Sequence, residues 1–141
     1  MKSVTTELTT CNCTALRRAS RRVSQFYDRR LAIVGVKSTQ LAILTAISRS
    51  QCISVNELAD AMSLDPTTTT RNLRPLQRNG WISIKRSDGD ARVRILSMTK
   101  RGDDLLMAGL KVWRSAQAEF ESRNGHRASE QLRSLLNALV V

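Results

Sequence analysis

The sequence predicts a mostly α-helical fold with one small β-hairpin. Apolar residues recur at every third or fourth position over most of the chain, which is the period of an amphipathic helix. Near the middle, two short stretches instead alternate apolar and polar residues on either side of a polar turn, as in a hairpin. A length of 141 residues with 41% hydrophobic content is typical of one globular domain, so we expect a single domain over residues 1–141.

Three helices are predicted in the N-terminal part of the chain. The first runs from Cys11 to about Val34 and ends at Gly35. We expect Ser38 to cap the second, whose side chains are apolar nearly all round and therefore belong in the interior. Ser54 and Glu57 have the spacing of a capping box, which predicts that a third helix begins there.

A fourth helix follows so closely that the pair predicts a helix-turn-helix. Asp65 is its expected N-cap, with Pro66 in the first helical position, and Gly80 closes it. Pro75 lies inside this helix and removes a hydrogen bond to the Arg71 carbonyl, so we expect the helix to bend or to end early. The helical period turns three residues inward: Thr69, Leu73 and Leu76. It turns four outward: Thr67, Arg71, Arg74 and Arg78.

The predicted hairpin consists of residues 81–86 and 92–95 around a turn. Three charged residues lie near its tip: Asp88, Asp90 and Arg92. Thr99 can cap a long fifth helix with an apolar stripe, and after a break at residues 124–125 a last helix carries a second apolar stripe. Apolar stripes at both ends of the chain need burial, which points to a homodimer.

The charge of the chain indicates a polyanionic partner. There are 23 Lys and Arg against 12 Asp and Glu, giving a formal net charge of +11 and a pI of about 11.0. Residues 71–101 alone hold nine basic and two acidic side chains, a net +7. No apolar run approaches the roughly 20 residues of a membrane span, and the N-terminus lacks the apolar core of a signal peptide. We therefore expect a cytoplasmic protein with no membrane partner and mostly reduced cysteines.

A second basic surface lies on the first helix. It consists of Arg17, Arg18, Arg21, Arg22, Arg29 and Arg30. A solvated helix face and a contact with phosphates would both explain it, and the sequence leaves both open.

Specific residues in the basic stretch resemble the MarR family of bacterial transcription regulators. Asp90-x-Arg92, followed by the LSMTKRG sequence of residues 96–102, is similar to the wing of that family and the start of its next helix. Three further segments fit as well: Leu58-Ala59, Thr70-Arg71 and residues 79–82. The resemblance extends from about Cys11 to the C-terminus.

The resemblance implies a winged helix-turn-helix and a sequence-specific regulator that binds double-stranded DNA. Residues from about 36 to 100 would form the DNA-binding lobe, and about 11–35 and 101–141 would form dimerisation helices. A homodimer would place two copies of the fourth helix on a pseudo-palindromic operator. A repressor released by a small-molecule or oxidant signal is the expected mode of regulation.

Seven residues are candidates for DNA contact. Thr67, Thr68 and Arg71 lie where an inserted helix reaches base edges, although the threonines could instead only cap and space the helix. Arg74 and Arg78, further from the tip, are expected to meet phosphates. In the family the arginine that matches Arg92 enters the minor groove, and the aspartate that matches Asp90 helps to hold it.

The cysteines raise the question of the signal. Cys13 lies fourteen residues before Tyr27, a spacing that resembles the organic-peroxide-sensing branch of the family, although Arg17 stands where that branch has a second tyrosine. A small-molecule effector bound between the DNA-binding lobe and the dimer helices is the alternative. Three separated cysteines and the single His126 give no tetrahedral zinc spacing, so no metal is expected.

Two other classes of function remain. A winged helix could bind RNA or another protein instead of DNA. Cys11 and Cys13 could form the thiol pair of a redox enzyme, but no αβ scaffold, nearby histidine or glycine-rich cofactor loop accompanies them. We therefore expect no enzymatic activity and no cofactor.

Overall fold

The computed structural model describes residues 8–141. Its regular elements are α1 (Asn12–Leu31), α2 (Ser38–Ser50), β1 (Ile53–Ser54), α3 (Val55–Ala61), α4 (Pro66–Arg78), β2 (Ile82–Arg86), β3 (Arg94–Met98), α5 (Lys100–Asn124) and α6 (His126–Asn137). Single turns of 3₁₀ helix lie on either side of α1, at Leu8–Thr10 and Ala32–Val34. The predicted fold class is confirmed: a mostly helical chain with a helix-turn-helix (α3 and α4) and a β-hairpin wing (β2 and β3).

The sheet has one strand more than the sequence predicted. Its order is β1-β3-β2 with antiparallel neighbours, and Ile53 of β1 pairs with Leu96 of β3. A strand of two residues is too short to show an alternating pattern, which is why it was missed. The predicted second hairpin strand also began two residues too early, because Arg86 pairs with Arg94 and residues 87–93 form the turn. Arg92 therefore belongs to the turn.

The core is built around α2, as predicted from its apolar composition. Ile43, Leu44 and Ile47 of this helix are at most 1% exposed. Leu58 of α3 and Leu76 of α4 are completely buried against the same cluster. The helix-turn-helix is thus attached to a rigid support rather than to a loop.

The start of α2 is capped from another helix. Ser38 is the first helical residue and not the N-cap, so that prediction was wrong. Its N–H and its hydroxyl both donate to Asp28 Oδ1 at 2.7 Å, which supplies an acceptor to the first turn from α1. Gly35, with φ of 75°, ends the preceding segment as expected.

Pro75 does not end α4 early. The helix continues to Arg78, three residues further on, so this part of the expectation was wrong. Leu73 and Leu76 flank the proline and are 2% and 0% exposed. Their burial holds the helix together across the missing hydrogen bond, because tertiary packing supplies most of the stability of a short helix.

A tight junction joins the end of α4 to the start of α5. The Thr99 hydroxyl donates to the Gly80 carbonyl at 2.6 Å, and the Thr99 N–H donates to the Trp81 carbonyl at 3.1 Å. Thr99 also caps α5 as predicted, because its hydroxyl oxygen accepts from the Gly102 N–H. A Cβ on Gly102 would lie 2.0 Å from the Trp81 carbonyl oxygen, so only glycine fits there. We call these four residues the α4–α5 junction.

Large apolar side chains remain exposed in the C-terminal part of the chain. They include Met107, Trp113, Leu132, Leu135, Leu136 and Leu139. Within residues 8–141, no single helix is long and apolar enough to cross a membrane, although Asn12–Val34 and Ser38–Ser50, bent by 73°, pass that test as a pair. The exposed side chains of α6 are those of the predicted apolar stripe.

Replacing Gly102 by Ala should destabilise the protein, because the new Cβ would overlap the Trp81 carbonyl. In an open helix the same substitution gains up to about 1 kcal/mol, so the sign of the effect is diagnostic. We expect the free energy of unfolding, measured by urea denaturation, to fall by at least about 2 kcal/mol. Gly89→Ala is the control, since a Cβ there lies 4.0 Å from Ser87 Oγ. A Gly102→Ala protein as stable as the parent would contradict the close contact.

Candidate nucleic-acid interface

Helix α4 presents a basic face to solvent, as its helical period predicted. Thr67, Arg71, Arg74 and Arg78 are exposed. On the opposite face, Thr69 is 1% exposed, and its hydroxyl donates to the Asp65 carbonyl at 2.8 Å. The buried face fixes the rotation of the helix and so determines which side chains point outward.

The first turn of α4 distinguishes between the two candidate threonines. The N–H and the hydroxyl of Thr68 donate to Asp65 at 2.8 and 2.6 Å, so the hydroxyl proton is used in capping. The hydroxyl of Thr68 is the main cause of a lowered pKa of the Asp65 carboxyl. The side chain of Thr67 makes no such bond within residues 8–141 and is free to contact a ligand.

At the wing, Asp90 orients Arg92. Asp90 Oδ1 accepts from the backbone N–H of Arg92 at 3.0 Å and from its Nε at 3.3 Å. The backbone N–H, followed by the guanidinium, lowers the pKa of the Asp90 carboxyl, so the pair is charged at neutral pH. The Arg92 side chain is 92% exposed. So exposed an ion pair adds little stability, but it restricts the directions in which the guanidinium can point.

A groove lies between the wing and the helix-turn-helix. It has a volume of about 330 Å³ and is lined by Ser54, Val55, Asn56, Pro66, Thr70, Arg92, Val93 and Arg94. Thr70 also borders an adjoining hollow with Thr67 and Arg71, so the first turns of α4 connect the two. We call both concavities together the α4–wing groove. Arg78 lies outside it, eleven residues or about 16 Å along α4 from Thr67.

The groove residues that were not among the predicted contacts include Asn56, Thr70 and Arg94. Asn56 lies at the start of α3, inside the capping box formed by Ser54 and Glu57. The sequence thus showed the capping box of Ser54 and Glu57, but it did not show that this box lies beside the wing. That proximity depends on the pairing of β1 with β3.

The predicted sensor residues are not brought together within one chain. Cys13 and Tyr27 both lie on α1, fourteen residues and about 21 Å apart. The Tyr27 hydroxyl instead donates to Gln117 Oε1 at 2.6 Å. All three cysteines are free, and a hydrogen bond from the Thr14 side chain is the main cause of a lowered pKa of the Cys11 thiol. Residues 8–141 hold no group of three potential metal ligands.

An apolar cavity of about 300 Å³ lies between α1, α2 and α5. It is lined by Tyr27, Ser38, Leu41, Ala42, Thr45, Leu110 and Trp113. The lining contains no charged side chain. The three hydroxyl protons are already used, by Gln117, by Asp28 and by the Leu41 carbonyl. Apart from the Trp113 indole N–H, the side chains of the wall can therefore accept hydrogen bonds from a ligand but have none to donate to an anion.

Comparisons with known proteins identify relatives that match parts or most of the chain. Residues 36–93 match the model of the MarR family. The chain is similar to the structure of the transcriptional regulator MosR of M. tuberculosis in complex with DNA. The TM-score is 0.79 and the identity 33%, covering 91% of this chain and 95% of that chain.

Two further relatives are similar in sequence alone. The Bacillus subtilis HTH-type transcriptional regulator YdgJ is 26% identical over 80 residues, covering 57% of this chain and 49% of that protein. The transcriptional repressor MprA of Escherichia coli is 26% identical over 115 residues, covering 80% of this chain and 65% of that protein. The match thus spans about half the length of YdgJ and slightly less than two thirds of MprA.

Replacing Asp65 by Ala should loosen the start of α4, because the first turn loses its side-chain acceptor. We expect amide hydrogen exchange at Thr68, followed by NMR, to accelerate by at least about tenfold. Because the pKa of Asp65 is lowered on folding, its stabilising effect is present above the usual aspartate range and is lost as the pH falls through the lowered value. The difference between parent and variant should therefore vanish in acid.

The control for this experiment is Asp60→Ala. Asp60 is an exposed aspartate on α3 whose side chain has no hydrogen-bond partner within residues 8–141. Equal exchange rates at Thr68 in the two variants at neutral pH would contradict the capping role of Asp65.

Proposed function

The chain belongs to the MarR family, and from this premise we propose that it is a sequence-specific regulator of transcription that binds double-stranded DNA. The observation that carries the proposal is the α4–wing groove, with an exposed basic helix on one side and the oriented Arg92 on the other. A helix and a wing set side by side fit adjacent grooves of a duplex. The complex of MosR with DNA supports the same use of this fold.

The residues of the groove divide into three roles. Thr67 and Arg71, at the N-terminal end of α4, contact base edges in the major groove, where Arg can donate two hydrogen bonds to guanine. Thr68 serves mainly as a cap, because its proton is held by Asp65. Arg74 and Arg78 contact phosphates and set the position of the helix.

The wing supplies recognition of groove shape. Arg92 enters the minor groove, where a narrow groove has an enhanced negative potential. Asp90 limits the orientations of Arg92 before binding, so less conformational entropy is lost on association. Asn56, Thr70 and Arg94 line the space between helix and wing and hold the phosphates of the strand that runs between the two grooves.

The functional unit is a homodimer. The exposed apolar side chains of α6 require burial, and a second copy of the same helix face offers a matching surface. Two-fold symmetry then places two copies of α4 about 34 Å apart, one turn of a pseudo-palindromic operator.

The regulatory signal is a small neutral molecule in the apolar cavity. Tyr27 forms part of its wall and is joined through Gln117 to Glu121, which accepts from Gln117 Nε2 at 2.8 Å and from Arg133 at 3.1 Å. A ligand that displaces Tyr27 therefore acts on α6 through hydrogen bonds between three helices. The regulator is a repressor, as the name of MprA indicates for that relative, and ligand binding releases it.

Replacing Arg92 by Ala should weaken operator binding by at least about tenfold while the protein stays folded and dimeric. Fluorescence anisotropy with a labelled operator duplex, selected from random sequences, measures the affinity. The control is Arg49→Ala, which removes an exposed arginine of α2 outside the groove. Unchanged affinity of the Arg92→Ala protein would refute the role of the wing, and structured RNA competing as well as the operator duplex would refute the proposed partner.

Replacing Leu135 by Arg should convert the dimer into a monomer, because an unpaired charge would lie in the apolar contact between copies. Light scattering at micromolar protein concentration measures the state. Asn137→Arg, about 160° away on the same helix, introduces the same charge on the opposite face and should remain dimeric. A monomeric parent protein, or a dimeric Leu135→Arg protein, would contradict the proposed assembly.

Phenol should bind the cavity, change the tryptophan fluorescence through Trp113 and weaken operator binding. Benzoate, similar in size but charged, should bind at least about tenfold more weakly, because no cation in the wall compensates its desolvation. Ala42→Phe, which fills the cavity, should abolish both effects of phenol.

Two results would contradict this form of regulation. One is equal binding of benzoate and phenol. The other is a mass change at Cys13 together with loss of operator binding after a stoichiometric hydroperoxide, which would make the cysteine the sensor.

A further inference from the structure

Five arginines on α1 have no partner among the described residues, and four of them lie close together. Arg17, Arg18, Arg21 and Arg22 are exposed, and none of them forms a hydrogen bond or an ion pair within residues 8–141. Arg30 on the same helix is different, because its guanidinium binds Glu119 at 2.6 Å. We call these four neighbouring residues the distal arginine patch; the fifth, Arg29, lies seven residues further along the helix.

The patch occupies one side of the helix. At 100° per residue, the four side chains fall within an arc of about 140° over little more than one turn. The opposite side of α1 is occupied by its packing on α5, where the rings of Phe26 and Tyr27 contact Phe120. The arginines are therefore turned away from the body of the protein.

The patch lies at the end of the molecule opposite the α4–wing groove. Arg30 contacts Glu119 of α5. Further along the chain, Val36 packs beside Gly109 of α5, since a Cβ built on Gly109 would lie 3.6 Å from Val36 Cγ1. From Arg30 to Val36, the chain therefore runs towards the start of α5. The patch precedes Arg30 in the sequence, so it lies in the opposite direction, beyond Glu119. Glu119 is twenty residues from the Thr99 cap, or about 30 Å along α5.

Among the described residues, the carboxylates at this end of a second copy already have hydrogen-bond or ion-pair partners of their own. At this end, Glu119 is held by Arg30 and Arg123, and Glu121 by His126 and Arg133. Glu130 contacts His126, and Asp28 accepts two bonds from Ser38. Two copies would therefore present eight patch arginines without a carboxylate partner among residues 8–141, and the phosphates of an external polyanion are suitable counterions.

From this arrangement we infer that the distal arginine patch binds the phosphate backbone of a second DNA duplex while the α4–wing groove holds the operator. The guanidinium fork suits phosphate, and the patch contains no lysine. A membrane helix would need a free apolar face, which α1 uses against α5. One dimer would then bridge two DNA segments. The inference rests on the proposed function only in that the operator occupies the α4–wing groove.

The test is a bridging assay with the full chain. Operator duplex on beads is saturated with protein and washed, and a fluorescent duplex of unrelated sequence is added. We expect the parent protein to retain the second duplex and R17Q/R18Q/R21Q/R22Q to retain at least about tenfold less, with the salt dependence of retention reduced accordingly. Capture of the variant by the operator should stay within about threefold of the parent, because the groove is unchanged.

The control K37Q/R49Q/K111Q/R114Q removes four exposed positive charges elsewhere and should retain the second duplex as the parent does. Light scattering checks that both variants keep the parent's oligomeric state. Failure of operator capture by the parent would count against the proposed function. Normal operator capture without a retained second duplex, or equal retention of the second duplex by both variants, would overturn the proposed role of the patch. So would stronger competition by phosphatidylglycerol vesicles or polyglutamate than by duplex DNA.

Discussion

The contact between the Trp81 carbonyl and the first turn of α5 is the constraint on which the rest of the structure depends. Thr99 binds both carbonyls that follow α4, and the absence of a side chain at Gly102 lets the helix approach closely. The end of α4 and the start of α5 therefore move as one body. In the proposed complex, α4 therefore cannot change its tilt without tilting α5.

The far end of α5 is fixed in a different way. There the contacts are polar side chains, with Tyr27 on Gln117 and Arg30 on Glu119, and Arg30 also stacks 3.5 Å over the Phe26 ring. Such contacts can exchange partners more easily than the backbone contacts of the junction, because each depends on rotatable side chains. A helix of 25 residues, about 37 Å long, thus joins a rigid end near DNA to an adjustable end near the cavity.

The sequence predicted the structural features that depend on residues close together in the chain, and it missed those that depend on residues far apart in the chain. The caps at Ser54, Asp65 and Thr99 and the two faces of α4 follow from local spacing, and the structure has them. The Asp28 cap of α2 joins residues ten apart on different helices, and β1 is defined only by its pairing with β3. The groove residues Asn56, Thr70 and Arg94 were missed for the same reason, because only the sheet brings α3 beside the wing.

Net charge alone does not describe how this chain uses its arginines. Arg30 is paired and stacked, so it serves packing between α1 and α5. Arg92 is paired but exposed, so its charge is available and its direction is restricted. The distal arginines are neither paired nor directed, and such charges raise affinity for any duplex without selecting a sequence. Under the proposed function, discrimination between operator and other DNA therefore comes from the few residues whose positions are fixed before binding, on α4 and at the wing.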